Sequence, residues 1–262
     1  NEHLVSLDVD GFLVWNEERK PYKGVYGDIK RLCSFKSLMG FKKDNSDELA
    51  RILMWNFPVD KQLLDAAKRL KIVANFAVGF DNIDVAEATA HGVTVANTPD
   101  PVTAPTADIA MGLMIDVMRR ICSFDKLQRR GNYTKDIMKN LGTSLEGKRL
   151  GILGMGRIGK AVARRAAAFG MQIVYNNCNR LPVAEEQLYG ARYVGLDELF
   201  SGSDVVSLNA PLTADTYHIV DGARLAQMKP SAFLINTARG ALVDERALVE
   251  ALKRGGIAGA GL

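Results

Sequence analysis

Short apolar runs rich in β-branched residues alternate along the chain with segments whose apolar positions recur at helical spacing. In the first part, Leu4–Asp8, Arg51–Trp55, Lys71–Ala77 and Val93–Ala96 read as strands, and Asp60–Leu70 (DKQLLDAAKRL) reads as a helix. Further on, strands are expected at Arg149–Leu153, Met171–Tyr175, Asp204–Leu208, Ala232–Asn236 and Ile257–Leu262. Helices are expected at Thr106–Arg130, Lys160–Phe169, Gly222–Met228 and Asp244–Arg254. Strand–helix alternation of this kind predicts an α/β architecture with parallel sheets. Between the two halves, Asn97–Pro105 (NTPDPVTAP) holds three prolines and reads as a linker or hinge. The boundary is set near residue 98, giving one domain over 1–98 and another over 99–262.

Composition narrows the classes. At 262 residues the chain suffices for one large domain or two ordinary ones, and 47% apolar with 24% charged residues is a globular balance. No apolar run approaches the roughly 20 residues that span a bilayer. No charged-then-apolar leader opens the sequence. The net charge of +4 is mild, and the densest basic stretch, RRICSFDKLQRR from Arg119 to Arg130, reads as a solvated helix face, so no nucleic-acid partner is expected. Cys33, Cys122 and Cys178 are odd in number and widely spaced. That argues against a disulfide framework or a metal site and for a reducing, cytoplasmic setting.

The chemistry-bearing motif is Gly154-Met155-Gly156-Arg157-Ile158-Gly159, set between a predicted strand and a predicted helix. In that setting the first glycine permits a tight turn, the second lets the backbone approach a pyrophosphate, and the third lets helix and strand pack closely. The helix N-terminus then offers unsatisfied N–H groups and partial positive charge to the phosphates. After the next strand, Asn176-Asn177-Cys178-Asn179-Arg180 contains no acid, and the next one is Glu185. A carboxylate there would bond the ribose hydroxyls of NAD(H) and repel a 2′-phosphate. Neutral amides such as Asn177 and Asn179, together with Arg180, favour NADP(H), with NAD(H) as the alternative.

Five blocks, AVGFDNID (77–84), NTPDPVTAPTAD (97–108), GILGMGRIG (151–159), APLTADTYH (210–218) and NTARGALVDERAL (236–248), together resemble the D-isomer-specific 2-hydroxyacid dehydrogenases. The branch they look most similar to is the glyoxylate/hydroxypyruvate reductases. The resemblance implies two parallel-sheet α/β domains, a flavodoxin-like substrate domain and a Rossmann dinucleotide-binding domain. It implies hydride transfer between NAD(P)H and a small 2-keto or 2-hydroxy acid. D-Lactate, phosphoglycerate or an aromatic 2-hydroxyacid are alternative substrates, which the wall near Trp55, Asn56 and Phe57 would decide. A nucleotide-sensing binding protein like the corepressors of this fold is the reading from another class. Arg239, in NTARG, matches the family's catalytic arginine, whose planar fork grips a carboxylate and polarises a carbonyl. The backbone N–H groups of Val78 and Gly79 would hold the substrate carboxylate. Thr106, Ala210, Pro211, Thr216, Thr237 and Ala238 match positions lining the cofactor, and no metal is implied. Dimers, with cofactor domains packed together, are usual in the family, and the linker suggests a closing hinge.

The family's proton-transferring histidine and its glutamate lie beyond the AGAGL segment, at which this sequence stops with Leu262. His3, His91 and His218 do not sit in that motif. The expectation is that the sequence is a portion of a longer enzyme. The intact mass of the purified protein tests it: a value several kDa above 28.6 kDa is expected, and a value at 28.6 kDa would remove the proton-transfer couple from the reading.

Overall fold

In the computed structural model, residues 50–53, 58–75, 77–132, 136 and 141–262 are described. The predicted strand Leu4–Asp8 and the predicted wall residues Trp55, Asn56 and Phe57 lie outside them. Packing divides the chain into two units, Asn1–Pro99 and Asp100–Leu262.

The described part of the first unit is a parallel sheet of three strands, β1 (Ala50–Leu53), β2 (Ile72–Asn75) and β3 (Thr94–Asn97), in the order β1-β2-β3. Helix α1 (Lys61–Ala66) precedes β2, and α2 (Val85–Ala90) precedes β3. Each helix starts on an aspartate: Asp60 Oδ1 accepts the Leu63 N–H and Asp84 Oδ1 that of Glu87, both at 2.9 Å. The helix expected at Asp60–Leu70 is shorter than its pattern because the backbone leaves helical geometry at Ala67. The core gathers Val59, Leu63, Leu64, Leu70, Val73, Ile83, Ala88 and Val93.

The second unit is a six-stranded parallel sheet in the order β6-β5-β4-β7-β8-β9. Its strands are β4 (Arg149–Leu153), β5 (Gln172–Asn176), β6 (Ala191–Tyr193), β7 (Val205–Leu208), β8 (Phe233–Asn236) and β9 (Gly259–Gly261). The chain leaves β4 for one side of the sheet and returns beside β4 as β7, so strand order reverses between them. On one face, Leu150, Ile152, Ile173, Tyr175, Val205 and Ile235 pack against α3 (Thr103–Arg119) and α5 (Arg157–Ala168). On the other, Leu153, Val174, Val206, Leu208 and Leu234 pack against α7 (Leu196–Gly202), α8 (Gly222–Gln227) and α9 (Glu245–Lys253). Burial on both faces explains strands that read as near-continuous apolar runs.

Helix α3 begins three residues before the predicted start, because Pro105 falls in its first turn, where a missing N–H costs nothing. The single helix predicted over Thr106–Arg130 is two. Arg120 adopts the left-handed conformation (φ 59°), and Asp116 Oδ1 accepts the Cys122 N–H at 2.7 Å, capping α4 (Ile121–Arg129). The remaining elements, α6 (Val183–Tyr189), β6, α7 and α2, were not expected from periodicity. β6 is three residues long and buries only Ala191, which leaves no alternation to read.

α3 and α5 run in the same direction, N-termini together, tied at two levels: Arg157–Asp100 at 3.5 Å and Arg165–Asp108 at 2.7 Å. At the opposite edge of the sheet, Asp204 joins three strand starts. Its backbone N–H donates to Arg149 O, its carbonyl accepts from Phe233, and its Oδ2 accepts the Arg149 N–H at 2.8 Å. Lys229 Nζ reaches Oδ1 at 2.8 Å. Burial pushes the Asp204 carboxyl up, but the Arg149 N–H and the Lys229 ammonium outweigh it and hold the group below the usual aspartate range. A depressed carboxylate stabilises the fold above its unfolded pKa, and that contribution is lost as pH falls through the folded value. Asp204→Asn is therefore expected to cost about 1–2 kcal/mol at pH 7. The gap between variant and parent should close on acidification below about pH 4. Urea unfolding midpoints at neutral and acid pH check this.

Candidate functional site

Because the second sheet is parallel, the loops after β4, β5, β7 and β8 all emerge on its C-terminal edge. Ligands of open α/β sheets bind there, at the strand-order reversal. The β4 loop is built by its glycines. Gly154 has φ +95°, and a Cβ on it would lie 2.5 Å from Ala210 N. A Cβ on Gly159 would lie 2.2 Å from Gly154 O. Gly156, by contrast, has nothing within 4 Å of where its Cβ would stand. Two glycines thus close the turn against backbone, while the third leaves an open approach at the mouth of α5. Arg157 and Ile158 open that helix, whose first-turn N–H groups lack intrahelical partners. Met155 turns its side chain into the core and donates its N–H to Asn177 Oδ1 at 2.6 Å.

Past β5, Asn176 Nδ2 donates to Val194 O at 2.8 Å, and Asn177 pins the glycine loop. Asn179 is exposed. Arg180 does not stand alone: its Nε and Nη2 grip Glu186 Oε1 and Oε2, each at 2.8 Å. Tyr175 OH also donates to Glu186 Oε1, at 2.7 Å, and accepts the Leu181 N–H. The Arg180 guanidinium and the Tyr175 hydroxyl hold the Glu186 carboxyl down at about 2. Burial first, then the carboxylate beside it, pushes the Tyr175 phenol up. Sequence reading passed over Glu186, because its partner relation depends on α6, a helix too short to show a period.

After β7, the backbone of Asn209 and Ala210 lies against the glycine turn, and Pro211 follows. Thr216 Oγ1 accepts the Thr213 N–H at 2.8 Å and donates to Pro211 O at 2.7 Å, so its hydroxyl shapes this loop. After β8, Asn236 folds the arginine loop: its Oδ1 accepts the Ala238 N–H at 3.0 Å and its Nδ2 donates to Arg239 O at 2.9 Å. Asn236, Thr237, Ala238, Arg239, Glu245 and Leu262 are among the residues lining a cavity of about 200 Å³. Arg239 is half-buried and donates to Ala238 O at 3.2 Å, while Asp244 Oδ1 caps α9 by accepting the Ala247 N–H. Thr106 stands in the first turn of α3, the helix whose start is tied to Arg157. Two buried polar atoms on this edge, Thr237 Oγ1 and Asn209 Oδ1, have no protein partner. Together with the open face of Gly156, these orphans fit a polar ligand laid across the strand ends.

In the first unit, Val78 and Gly79 lie in the turn after β2. Three consecutive carbonyls are pinned there: Ala77 O by the Thr98 N–H, Val78 O by Asn97 Nδ2 at 2.8 Å, and Gly79 O by Asn75 Nδ2 at 2.7 Å. In a trans peptide the N–H points opposite the preceding C=O, so the N–H groups of Val78 and Gly79 turn away from these partners. Asn75 and Asn97 were not singled out from sequence. They are register partners at the ends of β2 and β3, a relation only the sheet reveals. Of the described histidines, His91 bonds Asp65 and the Glu87 carbonyl, and His218 stacks on Tyr217. Among the described residues no group of three His, Cys, Asp or Glu side chains is placed to hold a metal, and no helix is long and apolar enough to cross a membrane.

The second unit thus has the strand order, glycine turn and open helix mouth of a dinucleotide-binding domain. The family model for the D-isomer specific 2-hydroxyacid dehydrogenase NAD binding domain matches residues 111–262, and the YonV middle domain model matches residues 1–55. The glyoxylate reductase of Thermococcus litoralis is 51% identical over 254 residues, covering 95% of this chain and 72% of that protein. That of Thermococcus onnurineus is 50% identical over 218 residues, covering 81% of this chain and 65% of its own length. The crystal structure of a glyoxylate reductase from Paecilomyes thermophila superposes with a TM-score of 0.79 at 44% identity, covering 87% of this chain and 70% of that one. The chain belongs to the D-isomer-specific 2-hydroxyacid dehydrogenases, in the glyoxylate reductase branch. Members are oxidoreductases that use a nicotinamide cofactor on 2-keto or 2-hydroxy acids.

The glycines separate folding from binding. Gly156→Ala is expected to keep the melting temperature within about 2 °C while weakening dinucleotide binding tenfold or more, because its methyl group occupies only the open approach. Gly159→Ala should cost about 1–3 kcal/mol through overpacking against Gly154 O. Thermal unfolding and nucleotide titration of both variants check the split.

Proposed function

We propose that the protein reduces a small 2-keto acid, glyoxylate or hydroxypyruvate, with NADP(H) as the favoured cofactor. The observation that carries this reading is Arg239. It stands beside a small cavity, on a loop fixed at both of its ends by Asn236, on the sheet edge that carries the glycine turn. A two- or three-carbon acid is favoured over an aromatic one by the likeness to the glyoxylate reductases. When bound, the nicotinamide supplies the hydride.

The chain's residues position and polarise. The first turn of α5, with Gly154, Gly156, Arg157, Ile158 and Gly159, takes the pyrophosphate. Asn177, Asn179 and Arg180 face the adenosine ribose. Thr106, Met155, Ala210, Pro211, Thr216, Thr237 and Ala238 border the remainder. Thr237 Oγ1 and Asn209 Oδ1 gain the partners they lack. Arg239 binds the substrate's carboxylate and keto oxygen, stabilising the charge that develops on that oxygen as hydride arrives. Val78 and Gly79 bind the carboxylate through their N–H groups. Neither His91 nor His218 is assigned proton transfer: His91 is engaged by Asp65 and the Glu87 carbonyl, and the His218 ring stacks on Tyr217. We assign residues 1–98 to the substrate domain and 99–262 to the cofactor domain.

We also propose a homodimer. α4 buries no residue of its own and Ile109 and Ile121 are exposed, which is apolar surface suited to a second copy. Exposed free thiols at Cys122 and Cys178 fit a reducing, cytoplasmic setting.

The test is steady-state reduction followed by loss of NADPH absorbance. Glyoxylate and hydroxypyruvate should be turned over in preference to pyruvate and phenylpyruvate. Arg239→Lys should lower kcat/KM for glyoxylate by about a hundredfold or more and leave NADPH affinity within twofold. Equal loss of both, or preferential turnover of phenylpyruvate, would sink the assignment.

A further inference from the structure

The Glu186 carboxylate is 7% exposed and plays no part in the reaction outlined above. It nevertheless accepts three charge-assisted or phenolic hydrogen bonds, two from Arg180 and one from Tyr175. The Arg180 edge it takes is the inner one, Nε–Nη2. The outer edge, Nη1 with the second hydrogen of Nη2, remains in a side chain 60% exposed. Beneath the guanidinium lies the Tyr193 ring, with Cζ 5.9 Å from its centroid. Tyr193 is itself fixed, edge-on to Tyr175 at 5.4 Å and with its hydroxyl donating to Asn177 O at 3.3 Å. Arg180 is thus held from the side and from below by groups anchored to β5, β6 and α6. Its neighbour Asn177 has Oδ1 committed to the Met155 N–H, which leaves Nδ2 as a donor.

A surface arginine ordinarily gives up rotamer freedom when it grips an anion. Here that freedom is already lost in the folded protein, and the end-on fork left over matches two phosphate oxygens. We propose that Glu186 is a positioning residue for cofactor choice: it holds Arg180 with its outer edge toward the ribose 2′ position, so that a dinucleotide bearing a 2′-phosphate binds better than one without. The inference rests on the dinucleotide reading of the glycine loop. The Glu186 charge opposes the phosphate, but across the guanidinium and beside solvent that repulsion is screened, whereas the arginine contact is direct.

The experiment is equilibrium titration of the protein with NADPH and with NADH, read by quenching of protein fluorescence and by enhancement of nucleotide fluorescence. The parent should bind NADPH more tightly than NADH. Glu186→Gln should weaken NADPH binding fivefold or more and NADH binding less than twofold. Tyr175→Phe, which removes one bond to the carboxylate and keeps the ring, should shift the same ratio in the same direction by a smaller factor, and it carries the test if Glu186→Gln fails to fold. Tighter NADPH binding in Glu186→Gln would show that the carboxylate acts as a counter-charge and would overturn the proposal. So would an equal loss for both nucleotides in Tyr175→Phe, or an unchanged ratio. Failure of the parent to bind either nucleotide would instead refute the dinucleotide reading, and this inference would fall with it.

Discussion

Every strand within each sheet points the same way, so every loop that follows a strand starts on one edge with backbone groups that need partners. Asparagine meets that constraint at five of the strand ends. β2, β3, β5 and β8 all end on it, at Asn75, Asn97, Asn176 and Asn236, and Asn209 follows β7. The side-chain amide carries both a donor and an acceptor at the point where the ladder stops. Asn75 and Asn97 hold the carbonyls of Gly79 and Val78. Asn176 holds Val194 O, and Asn236 clasps both ends of the arginine loop. Without these side chains the sheets would persist, but the turn after β2 and the arginine loop would lose the bonds that shape them.

The opposite edge of the second sheet solves a different problem. There Asp204 ties the starts of β4, β7 and β8 with one carboxylate and its own peptide groups. It has no bearing on a ligand, so its charge serves stability alone. The division is physical: at the N-terminal edge the Asp204 carboxylate is fully satisfied, whereas two of the loop starts on the C-terminal edge keep a polar atom without a partner.

Much of this was legible in the sequence, and the rest was not for identifiable reasons. Long buried strands such as β4 and β5 announce themselves, because five consecutive residues carry the pattern. The turn at Gly154 and the close packing at Gly159 were readable, since φ +95° at the one and the contact at the other are what that spacing demands. The break at Arg120 was hidden. A left-handed arginine leaves no mark in hydrophobic periodicity, and its cause is a carboxylate one turn earlier. β6 and α6 were too short to show a period, and with them went the Glu186 cluster. The asparagine pairs were hidden for another reason: register couples Asn75 to Asn97, twenty-two positions along the chain, and register is not a local property.

The polar orphans on the C-terminal edge connect stability to function. A buried hydroxyl or amide oxygen without a partner costs about 1–3 kcal/mol. Ser203 Oγ and Arg224 Nε also lack partners, but they lie away from the strand ends that carry the loops. Thr237 Oγ1 and Asn209 Oδ1 lie on the loops themselves, one residue past β8 and one past β7. A ligand that supplied a donor to one and a partner to the other would offset that cost. An apolar molecule of the same shape would leave that cost in place. Orphans at these two loop starts would therefore favour a polar ligand over an apolar one along this edge.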